Sequence, residues 1–328
     1  MSRDSEFTHQ PVLLPAVIAA LKIRPDGCYV DCTLGGGGHA AAILEQLGPQ
    51  GHLIGIDRDA DALKAAAARL AGTASPAKHQ VLQGNFADLA EILAGLGIAA
   101  VDGILADLGV SSWQLDASER GFSYSQAGNL DMRMNQSDKL TAAEIVNTWS
   151  ETEIAAILSA FGEERYAGRI SRAIVSRRAG RVLQTTTELA ELVCQAMPAA
   201  ARREAQHPAR RTFQALRLAV NQELAALDAL LLSSPSLLAD NGRLCIITFH
   251  SLEDRRVKQT FARLESPCTC PRTFPVCVCG KQPLGRRVGR QASIANTAET
   301  DGNPRARSAK LRCFERQFVP GRSDNGGH

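Results

Sequence analysis

Asp31, Gly35, Gly36, Gly37, Gly38 and His39 form an acidic, glycine-rich run directly after the short apolar segment 28–30. Glycine lacks a side chain, so a ligand can lie close against such a backbone. The helix-forming residues that follow would add the unpaired N–H groups of a helix start. Gly35, Gly37 and Ala40 fit the dinucleotide pattern G-x-G-x-x-A, and Asp57 lies 22 residues beyond Gly35. Three readings fit these residues: a dinucleotide, S-adenosylmethionine, or a purely structural turn. Asp31 weighs toward S-adenosylmethionine. A carboxylate repels a pyrophosphate in a partly buried site but suits an ammonium group. Asp57, at the end of the next strand, would accept from a ribose hydroxyl.

Two further positions lie where strands should end. Asp107 closes the apolar run 101–106, and His250 follows the run 243–248. With S-adenosylmethionine as ligand, Asp107 can hold the cofactor or an exocyclic amine of a base. The lone pair of such an amine is delocalised into the ring, so an acceptor that orients it assists methyl transfer. The bland reading of Asp107 is a cap on the next turn. The Pro-Pro-Tyr type of loop that accompanies this chemistry is missing. Trp113, Phe122 or Tyr124 would have to stack on the base, unless they are ordinary core aromatics. His250 either contacts the base or its phosphate or makes a structural hydrogen bond, with Ser251 and Asp254 expected to cap the helix that follows.

Nine cysteines and no apolar leader in residues 1–8 argue against a disulfide framework. Cys268, Cys270, Cys277 and Cys279 form C-x-C-x6-C-x-C. Four thiolates suit a closed, structural zinc site, although zinc pairs usually have two to four intervening residues. A redox cluster or unliganded thiols are the alternatives. The other cysteines lie in apolar contexts, and none forms the Pro-Cys pair of an enzyme that attacks pyrimidine C6.

These residues need strand ends to hold them. Apolar runs at 28–30, 53–56, 79–83, 101–106 and 243–248 read as strands. They alternate with helices at 40–47, 60–70 and 86–93, the rhythm of a parallel α/β sheet. Asp59 is the expected cap of the helix at 60–70. After 107 the rhythm stops, and helices are expected at 141–149, 151–161, 166–178 and 187–197, with Ser150 and Thr187 as caps. A long amphipathic helix at 213–232 leads back to the sheet. The expected domains are 1–114 as the first part of the core, 115–212 as an inserted helical substrate domain, and 213–328 as the second part with a basic tail. An insertion after the fourth strand would lie at the ligand-facing edge. Residues 281–303 read as a polar linker of poor core potential, 309–314 as the last strand, and 321–328 as disordered.

No run of 18 apolar residues is present, so a spanning helix is not expected and the default is a soluble cytoplasmic protein. Charge is uneven. Residues 1–120 carry 8 basic against 14 acidic side chains, 165–217 carry 11 against 3, and 255–328 carry 15 against 5. An acidic cofactor half beside two basic regions suits a polyanionic substrate. The bland reading is that alanine-rich helices use arginine for solubility.

Taken in order, the motifs resemble the RsmH/MraW family. They are Asp31-x-Thr33-x-Gly35-x-Gly37-Gly38-His39, Gly55-Ile56-Asp57-Arg58-Asp59, Asp107-Leu108-Gly109-Val110-Ser111-Ser112-x-Gln114-Leu115-Asp116, Gly121-Phe122-Ser123, Leu130-Asp131-Met132-Arg133-Met134, Arg211-Thr212-Phe213-Gln214-Ala215, Phe249-His250-Ser251-Leu252-Glu253-Asp254-Arg255 and Asn303-Pro304-Arg305-Ala306-Arg307-Ser308. The resemblance runs from about His9 to Arg316. It implies a class I, Rossmann-like S-adenosylmethionine-dependent methyltransferase core with an inserted helical domain. The implied reaction is methylation of the N4 amine of a cytosine near the P site of 16S rRNA in the small ribosomal subunit. The implied cofactor contacts are Gly36, Gly37, Gly38, His39, Asp57, Phe86, Asp107 and Gln114. Asp107 and His250 are the catalytic candidates, and Ser111, Arg133, Arg211, Arg305 and Arg307 the candidates for RNA contact. The cysteine cluster resembles a tail found in some members only, so catalysis should not depend on it. Rival readings are methylation of another amine in DNA or RNA, a binding module built on the cysteines and basic tail, and a dehydrogenase.

Overall fold

The computed structural model describes residues 11–271, 273, 276 and 278–317. His9, Cys277 and the segment 321–328 lie outside the described residues. Seven strands are present: β1 (Cys28–Asp31), β2 (His52–Asp57), β3 (Lys78–Gln83), β4 (Val101–Asp107), β5 (Leu238–Thr248), β6 (Gly285–Ile294) and β7 (Lys310–Arg316). The helices in chain order are α1 (Leu14–Leu21), α2 (Gly38–Leu44), α3 (Ala60–Ala71), α4 (Leu89–Gly95), α5 (Ser112–Asp116), α6 (Ala142–Thr148), α7 (Glu151–Gly162), α8 (Ala167–Gly180), α9 (Thr186–Ala196), α10 (Arg210–Asn221), α11 (Glu223–Leu237), α12 (Ser251–Glu265) and α13 (Thr297–Gly302). The chain divides into two compact units. One holds the chain up to Gly109 and again from Ala225, and the other holds Val110–Leu224. The second unit is wider at both ends than the segment 115–212.

The first unit is a doubly wound α/β sheet of order β3-β2-β1-β4-β5-β7-β6. Strands β1 to β5 pair in parallel. β7 runs antiparallel between β5 and β6. Side chains alternate between two cores because successive strand residues face opposite ways. Tyr29, Leu53, Leu105, Cys245, Ile247 and Leu311 join one core with α1 and α2. Val30, Ile54, Ile104, Leu244, Ile246 and Phe314 join the other with α4, α11 and α12. Burial on both faces explains the near-continuous apolar runs of the central strands. The parallel pairing sends the carboxyl ends of β1, β2, β4 and β5 to one edge, which is where the acidic residues sit.

Two glycines let the sheet close around a single ring. A Cβ on Gly103 of β4 would meet the Tyr29 ring at 2.6 Å, and one on Gly27 would meet it at the same distance. The Tyr29 hydroxyl accepts from Arg24 N at 2.7 Å, which pins the ring.

The second unit is helical around its own core, to which Ile145, Ile154, Leu158, Ile170, Leu189, Phe213 and Leu216 contribute. Asn221, buried at the end of α10, accepts from Met134 N and donates to Met132 O, each at 2.7 Å. A polar loop is thereby satisfied inside an apolar core.

Four expectations are corrected. The single helix at 213–232 is two helices, because Gln222 takes a left-handed conformation (φ 51°) and ends α10. The polar segment 281–303 contains the edge strand β6 and the helix α13. β6 bends at Gly289 (φ 82°), between the two stretches that pair with β7. The cap of α9 is Thr185 rather than Thr187. The cap of α12 is His250, with Glu253 completing the box, rather than Ser251 with Asp254. Ser150 and Asp59 do cap α7 and α3.

Gly103→Ala should destabilise the first unit by roughly 1–3 kcal/mol, the usual cost of overpacking. Thermal unfolding would show it as a lowered midpoint, and an unchanged midpoint would contradict the tight approach to Tyr29.

Candidate active site

β1 ends on Asp31, and the chain then turns sharply. Cys32 N donates to Leu105 O at 2.8 Å and Leu34 N to Ile56 O at 2.9 Å, so the loop is stitched to β4 on one side and β2 on the other. Gly35 and Gly37 have φ of 50° and 75°, a region in which glycine is strain-free. α2 starts at Gly38, where a Cβ would collide with Pro11 at 2.5 Å.

Hydrogen bonds order the carboxylates around this loop. Asp57 accepts from Gly35 N at 2.7 Å through one oxygen and from Asp59 N at 2.9 Å through the other. It therefore anchors the glycine loop, and each oxygen retains a lone pair for a further donor. Asp31 accepts from Thr33 N at 3.1 Å. The Thr33 hydroxyl accepts from Asp107 N at 2.6 Å, tying the ends of β1 and β4 together. Glu253 accepts from Phe249 N at 2.9 Å and His250 N at 3.3 Å at the start of α12. His250 Nε2 lies 3.0 Å from the second Glu253 oxygen.

The electrostatics set this place apart. Burial pushes the Asp31 carboxyl up to about 7, the nearby Asp57 charge adds to this, and the Thr33 hydrogen bonds oppose it. Burial also raises Asp107 well above the ordinary carboxylate range, helped by the charges of Asp31 and Glu253. Asp57 is raised by burial against its backbone hydrogen bonds. No basic side chain is among the causes acting on Asp31 or Asp107. One oxygen of each, Asp31 Oδ2 and Asp107 Oδ1, is sealed from water with no hydrogen-bond partner. Yet 24% of the Asp107 side chain remains accessible.

His39 completes the site. Its Nε2–H donates to Val12 O at 2.9 Å. Burial pulls the ring down to about 4, against that hydrogen bond, so the imidazole is neutral near pH 7. Nδ1, which bears no proton in this tautomer, lies 3.8 Å from Asp107. The histidine therefore adds no cation to the carboxyl group beside it.

Asp31, Gly36, Gly37, Gly38, His39, Asp57, Asp107 and His250 thus all sit at or just past the carboxyl ends of β1, β2, β4 and β5. Phe86 begins a short 3-10 turn after β3, capped by Asn85, and is half-buried. Glu253 was missed. Its signal was an acidic residue three positions past His250, read only as part of a motif.

The remaining candidates belong to other elements. Ser111 and Gln114 belong to the second unit, where they form the capping box of α5. Arg133, in the same unit, grips Asp131 through Nε at 2.8 Å and Nη2 at 2.7 Å. Its Nη1 donates to Gln136 O and Asp138 O, so four of its five N–H groups hold its own loop. Arg211 opens α10. Arg305 and Arg307 lie in the 3-10 turn Pro304–Ser308 before β7. Phe122 is core. Tyr124 stacks on His207 at 4.6 Å and meets the edge of Phe213 at 5.8 Å. Trp113 is 43% exposed.

Comparison with known proteins decides the family. A family model described as the MraW methylase family matches residues 6–317. The chain belongs to that family. It is 53% identical over 307 residues to the ribosomal RNA small subunit methyltransferase H of Symbiobacterium thermophilum, covering 94% of this chain and 96% of that one. It is 49% identical over 311 residues to the protein of the same name from Heliobacterium modesticaldum, covering 94% and 99%. The sheet described above is thus the Rossmann-like core of a methyltransferase. Among the described residues no helix is long and apolar enough to cross a membrane.

S-adenosylmethionine fits this site on physical grounds. Its sulfonium and ammonium charges meet two buried carboxyl groups that have unpartnered oxygens and no protein cation. A pyrophosphate would meet only repulsion there.

Two tests follow from this electrostatic picture. Asp31 is held above its ordinary value, so folding stability falls as pH rises from about 4 to about 7, and the full cost stands above that. Asp31→Asn should therefore raise stability at about pH 8 by up to about 4 kcal/mol. The gain should shrink as the pH is lowered. An equal effect at all pH values in a denaturant titration would sink this account. Arg133→Ala should lower the stability of the protein before any effect on RNA binding is seen. A normal melting midpoint with weakened RNA binding would reverse the assignment.

Proposed function

We propose that this protein transfers a methyl group from S-adenosylmethionine to the exocyclic N4 amine of a cytosine in the decoding (P-site) region of 16S rRNA in the small ribosomal subunit. The pair Asp31 and Asp107 carries the cofactor half of this reading. Family membership and the names of the relatives support the RNA half.

In this reading the backbone at Gly36, Gly37 and Gly38 lies against the cofactor, with His39 packed beneath. Asp57 accepts from the ribose hydroxyls while holding the glycine loop. Phe86 supplies apolar surface for the adenine, and Gln114 is a further contact. Asp31 balances positive charge and is ionised when a cation is bound. The bound cofactor supplies an electrophilic methyl on a sulfonium sulfur.

Asp107 is the group assigned to the amine. Its carboxylate would accept from the N4–H, orient the nitrogen lone pair and take the proton that the amine loses on methylation. A carboxyl group raised by burial is a better base than an ordinary aspartate. Its partly accessible side chain leaves an approach for the amine. His250 acts through Glu253 as a positioning residue, fixing the start of α12 and the charge that faces Asp107. Arg211, Arg305 and Arg307 are assigned to phosphates, and Ser111 to the RNA. The cysteine cluster takes no part in this reaction.

Radiolabelled methyl transfer to small ribosomal subunits and to naked 16S rRNA, followed by nucleoside mass spectrometry, tests the proposal. N4-methylcytidine is expected. Label on DNA, on another base or on no RNA at all would refute it. Asp107→Asn should lower single-turnover rates at least ~10²-fold while the protein stays folded. Cofactor affinity should rise with pH through about 7 as Asp31 ionises. Calorimetry should show protons released on binding near neutral pH, and Asp31→Asn should abolish much of that release.

A further inference from the structure

Among the described residues between α12 and β6, Leu284 packs against the sheet core, but the valines stand in solvent. Val276 and Val278 are 69% and 74% exposed. Yet the sulfurs of Cys268, Cys270 and Cys279 all lie within 4.8 Å of one another. Three of the other described cysteines are different. Cys32, Cys245 and Cys313 are buried among apolar side chains, where a small hydrophobe needs no further reason. Cys268 is exposed, and Cys270 and Cys279 are only half-buried. Hydrophobic packing therefore does not explain their convergence.

We propose that Cys268, Cys270 and Cys279 bind a structural zinc ion. Four sulfurs around zinc at about 2.3 Å each stand about 3.8 Å apart, the scale of the observed cluster. Two local features suit metal-bound thiolate. Val278 N donates to Cys270 Sγ at 3.4 Å, a backbone hydrogen bond that stabilises negative charge on sulfur. Gly280, directly after the last ligand, has φ 64°, so the chain turns away where a side chain would be strained. A soft, all-sulfur set favours zinc over magnesium or calcium.

A disulfide arrangement fits less well. A disulfide joins two sulfurs at about 2.05 Å and leaves a group of three with an odd member. Pairing within either C-x-C would close a very small, strained ring. A metal draws all of them together without forming a sulfur–sulfur bond. Its role would be to close the α12-to-β6 connection, for which the apolar residues are insufficient.

The test uses the full chain, purified without chelator from zinc-supplemented medium. Plasma mass spectrometry should find about one zinc per chain, released stoichiometrically by a mercurial reagent. Cobalt(II) exchanged into the protein should show the sulfur-to-metal charge-transfer and intense d–d bands of tetrahedral thiolate coordination. Cys270→Ser and Cys279→Ser should lose the zinc, whereas Cys194→Ser should keep it. The cobalt spectrum of the unaltered protein decides the matter even if a variant folds poorly. Absence of zinc together with failure to take up cobalt would overturn the proposal. So would intact-mass evidence for disulfides among these cysteines under conditions in which no metal binds.

Discussion

Burying a carboxyl group without a cation is costly, and the first unit does it repeatedly at one end of its sheet. Everything around that end is arranged to tolerate it. Thr33 links Asp31 to the backbone of Asp107, Asp57 is engaged by Gly35 and Asp59, and Glu253 is engaged by the first residues of α12. Asp31 Oδ2 and Asp107 Oδ1 are left there without a donor. The parallel strand order makes this possible, because only parallel neighbours deliver their carboxyl ends to a common edge. The site is thus a property of the topology as much as of the residues.

Much of this was legible in the sequence because it rests on patterns with a physical cause. The apolar runs of β1, β2, β4 and β5 are near-continuous because both faces of the sheet are covered. The glycine loop could be read because Gly35 and Gly37 are needed where φ is positive. Asp59 and Ser150 announced helix starts through their ability to accept from the first free N–H groups. The family resemblance added the reaction, and the family match bears that resemblance out.

What was not legible has equally specific reasons. β6 exposes most of its side chains, including Arg286 and Arg287, as an edge strand can. Its partners Glu315 and Glu265 are distant in sequence, so no local pattern marks it. The break at Gln222 uses a left-handed residue that is not glycine, and it is fixed by the contacts Asn221 makes with a loop some 90 residues earlier. His250 drew attention as a reactive histidine. Its imidazole instead sits at the helix start while the neighbouring Glu253 holds the backbone N–H groups. Chemistry-bearing residue types can serve as structural caps, and only the hydrogen bonds separate the two uses.

The position of β7 has a consequence for how the protein is made. β7 lies between β5 and β6, yet it follows both in the chain. While the chain emerges during synthesis, β5 has an unpaired edge until residues 310–316 are available. β6, already emerged, has no partner at all. The half-finished sheet is open to pairing with other strands during that interval. Arg286 and Arg287 on β6 make such pairing less favourable, since charged edges resist association with one another. A truncation that removed only β7 would therefore leave two separated strand edges rather than a slightly shorter sheet. β7 acts as the keystone of this side of the fold.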